Sequence, residues 1–148
     1  MKRSELKRTS GLSARGKGGA CPPRPAESTV KYDGVEWRRR VFAKYADLLN
    51  RLTGSPVGCW MCVNVWGEQV PARDAHHLLP RQQLVRHLPA EVAAVAVMDP
   101  RGGMPLCRDC HGAHHARSQP IPRAWLLDDA QDFADEHGLG WLLEKTYV

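Results

Sequence analysis

The segment Cys107-Arg108-Asp109-Cys110-His111-Gly112-Ala113-His114-His115 concentrates metal-binding side chains. Two cysteines three positions apart fit on one turn and can hold one side of a tetrahedral zinc ion. A helix starting near Arg108 projects His111 and His115 from one face, where two imidazoles can share a second ion. An earlier pair, Cys59-Trp60-Met61-Cys62, supplies the other half of a four-thiolate set. Alone, that pair would also suit redox chemistry, but it lacks the strand-and-helix context of thioredoxin-like motifs. The four cysteines together predict one structural zinc that pins two distant segments and contributes directly to folding. Trp60 and Met61 are expected to pack around this knuckle.

The elements that must position these groups are bounded first by composition. With 148 residues, the chain has room for one domain and a tail. It is 25% charged and 43% hydrophobic, which is globular, but only 7% aromatic. A core of mostly small apolar residues is modest, so a structural metal adds usefully to it. The formal charge of +5 favours a polyanionic partner, with a merely soluble basic protein as the alternative. No apolar run approaches the roughly 20 residues of a membrane span. Residues 1–19 are basic without the apolar centre of a signal peptide. The expectation is a cytoplasmic protein with reduced thiols, in which paired cysteines mean metal. Cys21 reads as a free thiol.

Residues 1–28 have almost no large apolar side chains and are expected to form a disordered basic arm. Lys2, Arg3, Lys7 and Arg8 would there contact phosphates or simply solvate the tail. A first helix is expected over residues 35–52, capped by Asp33, with Trp37, Val41, Tyr45, Leu48 and Leu52 as its buried stripe. Its arginines face solvent or a nucleic acid. Val63, Val65 and Val70 suggest a strand or hairpin over residues 63–79, ending at His76-His77-Leu78-Leu79-Pro80. Adjacent strand residues point to opposite faces, so His76 and His77 should differ in role. Residues 81–87 form a short basic helix or turn, with His87 at the surface. Residues 89–99 fit a buried helix or a strand, and residues 99–103 read as a plain turn. After a Pro-rich break, residues 125–136 look helical, with Asp128, Asp129, Asp132 and Asp135 on a solvated face. Trp141, Leu142 and Leu143 should dock on the domain.

These motifs, in this order, resemble the HNH endonuclease family, particularly its small zinc-containing phage and bacterial members. The matching residues are Cys59-x-x-Cys62, His76-His77 followed by Leu78-Leu79-Pro80, then Leu106-Cys107-Arg108-x-Cys110-His111 and His115. They span residues 59–115 of a nuclease domain expected over residues 29–148. The resemblance implies an α+β fold with a small ββα-metal (His-Me finger) core and a four-cysteine structural zinc site. A long helix precedes that core and another helix follows it. It implies that His77 is the general base, that His76 joins His111 and His115 around a catalytic divalent ion, and that DNA is the partner. Arg81 and Arg108 are further candidate phosphate contacts, and His114 is expected to face solvent or phosphate. The catalytic ion would be Mg2+, with Mn2+, Ni2+ or Zn2+ as other ions that histidines accept.

One position departs from the family pattern. Gly102 stands where the family asparagine braces the loop holding the base histidine, five positions before Cys107. Either the loop is held differently, or Asn64 or Asp99 substitutes, or activity is reduced. The leading expectation is a metal-dependent DNA endonuclease. The alternatives are a catalytically impaired, zinc-stapled DNA-binding module and a structural zinc protein acting through protein contacts. A phage packaging, mobile-element or restriction setting is compatible with the leading one.

Overall fold

The computed structural model describes residues 30–148. The basic arm with Lys2, Arg3, Lys7 and Arg8, and Cys21, lie outside the described residues. The fold is α+β: helices surround one small two-stranded antiparallel sheet. Among the described residues no helix is long and apolar enough to cross a membrane.

Helix α1 spans Gly34–Thr53. The Asp33 carboxylate accepts hydrogen bonds from the Val35 and Glu36 N–H groups, 3.1 and 3.0 Å away, satisfying donors that a helix start leaves open. Gly54 ends it with φ 77°, a left-handed conformation that glycine adopts without a side-chain penalty. The buried stripe is Trp37, Val41, Tyr45 and Leu49. Leu48 is only half-buried and Leu52 is 58% exposed, so the stripe ends differently from the expected one. Gly58 of the next segment lies close to this face, where a Cβ would stand 3.5 Å from Leu49 Cδ2.

Helix α2, Trp60–Trp66, contradicts the expected strand character of Val63 and Val65. The β preference of these residues yields to a short helix starting at Cys59 and stopped by Gly67 at φ 66°. The Trp60 indole N–H donates to the Trp125 carbonyl at 2.8 Å, a packing role as expected.

Strand β1 (Asp74–His77) pairs with β2 (Gly103–Leu106), with His76 opposite Met104 and His77 opposite Gly103. The two strands are not joined by a tight turn. Helices α3 (Arg81–His87) and α4 (Ala90–Ala96) and a 3-10 turn (Pro100–Gly102) lie between them. The ambiguous segment at residues 89–99 is therefore largely helical. Helix α1 lies so close to β2 that a Cβ at Gly103 would collide with Val41, and with Trp37 Cζ2 at 2.7 Å. Pro105, which has no N–H to donate, is tolerated because the sheet has only two strands.

Helix α5, Arg108–His115, starts where the sequence placed it. The expected helix over residues 125–136 is shorter: a 3-10 turn (Arg123–Trp125) precedes α6 (Asp128–Glu136), because Leu126 and Leu127 are extended. Asp128, Asp132 and Asp135 face solvent, while Asp129 pairs with Lys44 at 2.9 Å. Helix α7, Gly140–Thr146, buries Leu142 and Leu143 but leaves Trp141 48% exposed against the surface residue His87.

Candidate metal centres

Cys59 precedes α2 and Cys62 lies in its first turn; Cys107 caps α5 and Cys110 lies in that helix's first turn. Two helix starts thus bring four buried, unpaired thiols together. Their sulfurs all lie within 4.8 Å of one another, with Cys62 Sγ 3.9 Å from Cys107 Sγ and 3.6 Å from Cys110 Sγ. Tetrahedral zinc with Zn–S bonds of about 2.3 Å requires sulfurs roughly 3.8 Å apart. The cluster has the chemistry and spacing to hold a metal ion and is consistent with structural zinc.

The four thiols have unequal surroundings. Burial pushes the Cys62 thiol up strongly, reinforced by Cys59 and Cys110, and burial pushes Cys110 up to about 12. Burial opposes ionisation of Cys107 too, but the Cys110 backbone N–H and neighbouring thiols outweigh it and lower that thiol. A divalent ion would reverse the penalty by stabilising all four thiolates.

The second cluster joins β1 to α5. Alternation along β1 gives His76 and His77 different surroundings. His76 is only 5% exposed and lies against the α5 histidines, with ring centroids 5.4 Å from His111 and 5.3 Å from His115. One nitrogen from each of His76, His111 and His115 falls within a common 4.8 Å. His111 Nε2 and His115 Nε2 are 3.0 Å apart, while His111 Nδ1 faces Asp74 Oδ2 at 3.2 Å. A carboxylate on Nδ1 favours the tautomer whose Nε2 lone pair is free for an ion. Burial, then the neighbouring histidines, push His76 down to about 2, so it is neutral and able to donate to metal at ordinary pH.

His77 has a different environment. Its ring stacks on Trp37 at 3.6 Å and 5°, with Tyr32 tilted beside it at 5.6 Å. Trp37 is itself held by an indole N–H bond to the Asp99 carbonyl at 3.3 Å. His77 Nε2 is buried without a hydrogen-bond partner. Burial, then Arg81 and His111, push His77 down to about 4. An open cleft of about 570 Å³ runs along this face, lined by His76, His77, His111, His115, Arg81 and Tyr32 among others. The Arg81 guanidinium sits over the Tyr32 ring, 3.9 Å from its centroid.

The structure brings together His76, His77, His111, His115 and Arg81, and separately the four cysteines. Arg108 is exposed at the start of α5, outside the cleft lining. His114, expected to face solvent or phosphate, is half-buried and lines the same cleft. It lies parallel to the Tyr147 ring, and its Nδ1 accepts from the Ile121 N–H at 3.2 Å. Sequence reading missed Asp74, Tyr147 and the stacking role of Trp37. Asp74 carried a signal, lying two positions before His76 on the same strand face.

Gly102 has a structural reason. Its carbonyl accepts from Leu78 N–H at 2.8 Å, tying the segment after β1 to the turn before β2. A Cβ here would meet Phe133 Cε1 at 2.9 Å, so the space is filled by an aromatic ring from α6. The loop is braced by backbone. Asn64 instead bonds the Trp60 carbonyl within α2, and Asp99 shapes its own turn through Arg101.

The chain matches no protein-family model, no curated protein and no solved structure.

Proposed function

We propose that the protein is a metal-dependent DNA endonuclease of the HNH type, with β1, β2 and α5 as a ββα-metal core. The carrying observation is that His76, His111 and His115 converge as a three-nitrogen set while His77 lines the same cleft. Three ligands with an open side suit catalysis, whereas the four buried thiolates suit a closed structural zinc.

A divalent ion held by the three histidines would supply charge neutralisation for a phosphodiester and its departing oxygen. The protein's own residues account for the rest. His77, uncharged at physiological pH, accepts the proton of the attacking water. Its Nε2 is walled off, so Nδ1 is the nitrogen that water in the cleft can reach. Stacking on Trp37 fixes the ring plane, and Asp74 fixes the His111 tautomer. Arg81 supplies positive charge at the cleft wall for the phosphate. The ion would be Mg2+, Mn2+, Ni2+ or Zn2+, since imidazole donors accept several.

The second reading is a zinc-stapled DNA-binding module with impaired catalysis, favoured by Gly102 at the brace position and by the unpartnered His77 Nε2. Plasmid cleavage with added Mg2+ or Mn2+ decides between them. Cleavage that disappears in His77→Ala, with DNA binding retained, supports the endonuclease; binding without cleavage in every metal supports the module.

A further inference from the structure

The last residues of the chain return to the histidine cluster. Tyr147 is buried and anchored by its own N–H to the Leu143 carbonyl at 2.8 Å, and the Val148 carbonyl accepts from Arg123 N–H at 3.0 Å. Its hydroxyl makes two contacts: to the Leu78 carbonyl at 3.0 Å and to His76 Nε2 at 3.0 Å. A hydroxyl has one hydrogen to give, and a carbonyl can only accept. The hydrogen therefore goes to Leu78 O. The bond to His76 then requires the imidazole to donate, which places the His76 hydrogen on Nε2.

We propose that Tyr147 is a positioning residue for the histidine site, holding His76 in the Nε2–H tautomer so that Nδ1 carries the lone pair for the ion. This rests on the reading of His76, His111 and His115 as a metal site. A neutral imidazole has one unprotonated nitrogen, so the tautomer decides which atom can ligate. The arrangement repeats on a second ligand the logic of Asp74 on His111, where an outer partner sets the ring's proton. It also links the site to the backbone brace. Leu78, whose carbonyl takes the Tyr147 hydrogen, donates its own N–H to Gly102.

The test uses the whole 148-residue chain with zinc in the cysteine site. Long-range proton–nitrogen NMR of the histidines, at a pH where they are neutral, should show His76 protonated on Nε2 in the unmodified protein. In Tyr147→Phe, which keeps the ring, that preference should be lost. Affinity for added Co2+, measured by calorimetry and by the visible bands of histidine-bound cobalt, should fall roughly 10- to 100-fold. The far-ultraviolet circular dichroism and the zinc content should stay unchanged. A wild-type His76 protonated on Nδ1 overturns the proposal without reference to any variant. So does a Tyr147→Phe protein with unaltered tautomer and cobalt affinity. A wild-type protein with the Nε2–H tautomer but no affinity for Co2+ overturns the metal reading beneath the proposal, and leaves the tautomer assignment standing.

Discussion

The thiolate knuckle and the histidine cleft share helix α5, yet they are built to opposite specifications. The knuckle uses the first turn of α5, its four thiols are all buried, and they come from two helix starts. The cleft uses the next turns, where His111 is half-buried and His115 exposed, with only His76 deeply buried. A closed four-ligand set leaves no room for a substrate, whereas a three-ligand set at a cleft wall leaves one side free. The difference teaches that one helix can carry a closed cluster at its start and an open candidate ion site one turn later.

The comparison breaks most visibly if the knuckle is removed. Cys62→Ser should lose one tightly held ion and unfold much of the domain, because structural zinc sites contribute on the order of 10 kcal/mol. Metal analysis and circular dichroism check both, and a folded, zinc-replete variant would refute the four-thiolate site. By contrast, on the proposed endonuclease reading, His77→Ala should leave the zinc content unchanged while slowing DNA cleavage about 10²- to 10⁴-fold. Gly102→Ala touches neither cluster directly. Its Cβ would press on Phe133, so thermal denaturation should show a loss of about 1–3 kcal/mol. Asp74→Asn should weaken divalent-ion binding in the cleft about tenfold while zinc content stays constant.

Acidification should bear on the histidine side. His76 and His77 have folded-state pKa values held down to about 2 and about 4, so the unfolded chain binds their protons first. Their contribution is complete above the unfolded histidine value of about 6.5 and is lost as pH falls toward 4 and below. Denaturant titrations at pH 7 and pH 4.5 should show lower stability at the lower pH. Equal stability at both would contradict the burial of these rings.

The sequence carried much of this because local rules and tertiary demands agreed. Asp33 before an apolar stripe, and Cys107 at a helix start, are local signals that the packing leaves in place. The cysteine and histidine spacings each imply a geometry that one turn or one helix face enforces. Local rules failed where another element decided. Val63 and Val65 favour strands but sit in α2, between the knuckle and Gly67. The partner of β1 was not the preceding valines but β2, beyond two helices, and no short-range pattern announces that pairing. Tyr147 lies 71 positions from the histidine it touches, so no spacing could suggest it. The role of Gly102 needed Phe133 in place before its missing side chain made sense.

The knuckle also has a consequence for how the chain finds its fold. Cys62 and Cys107 are 45 positions apart, and β1 and β2 lie within the loop they close. Bringing such distant segments together costs chain entropy before any strand contact rewards it. Zinc captured by the thiolates would close that loop early and hold the two strands within reach of each other. Refolding with zinc present should then be faster than refolding with zinc added afterwards, which makes the ion a template for assembly as well as a staple for the finished domain.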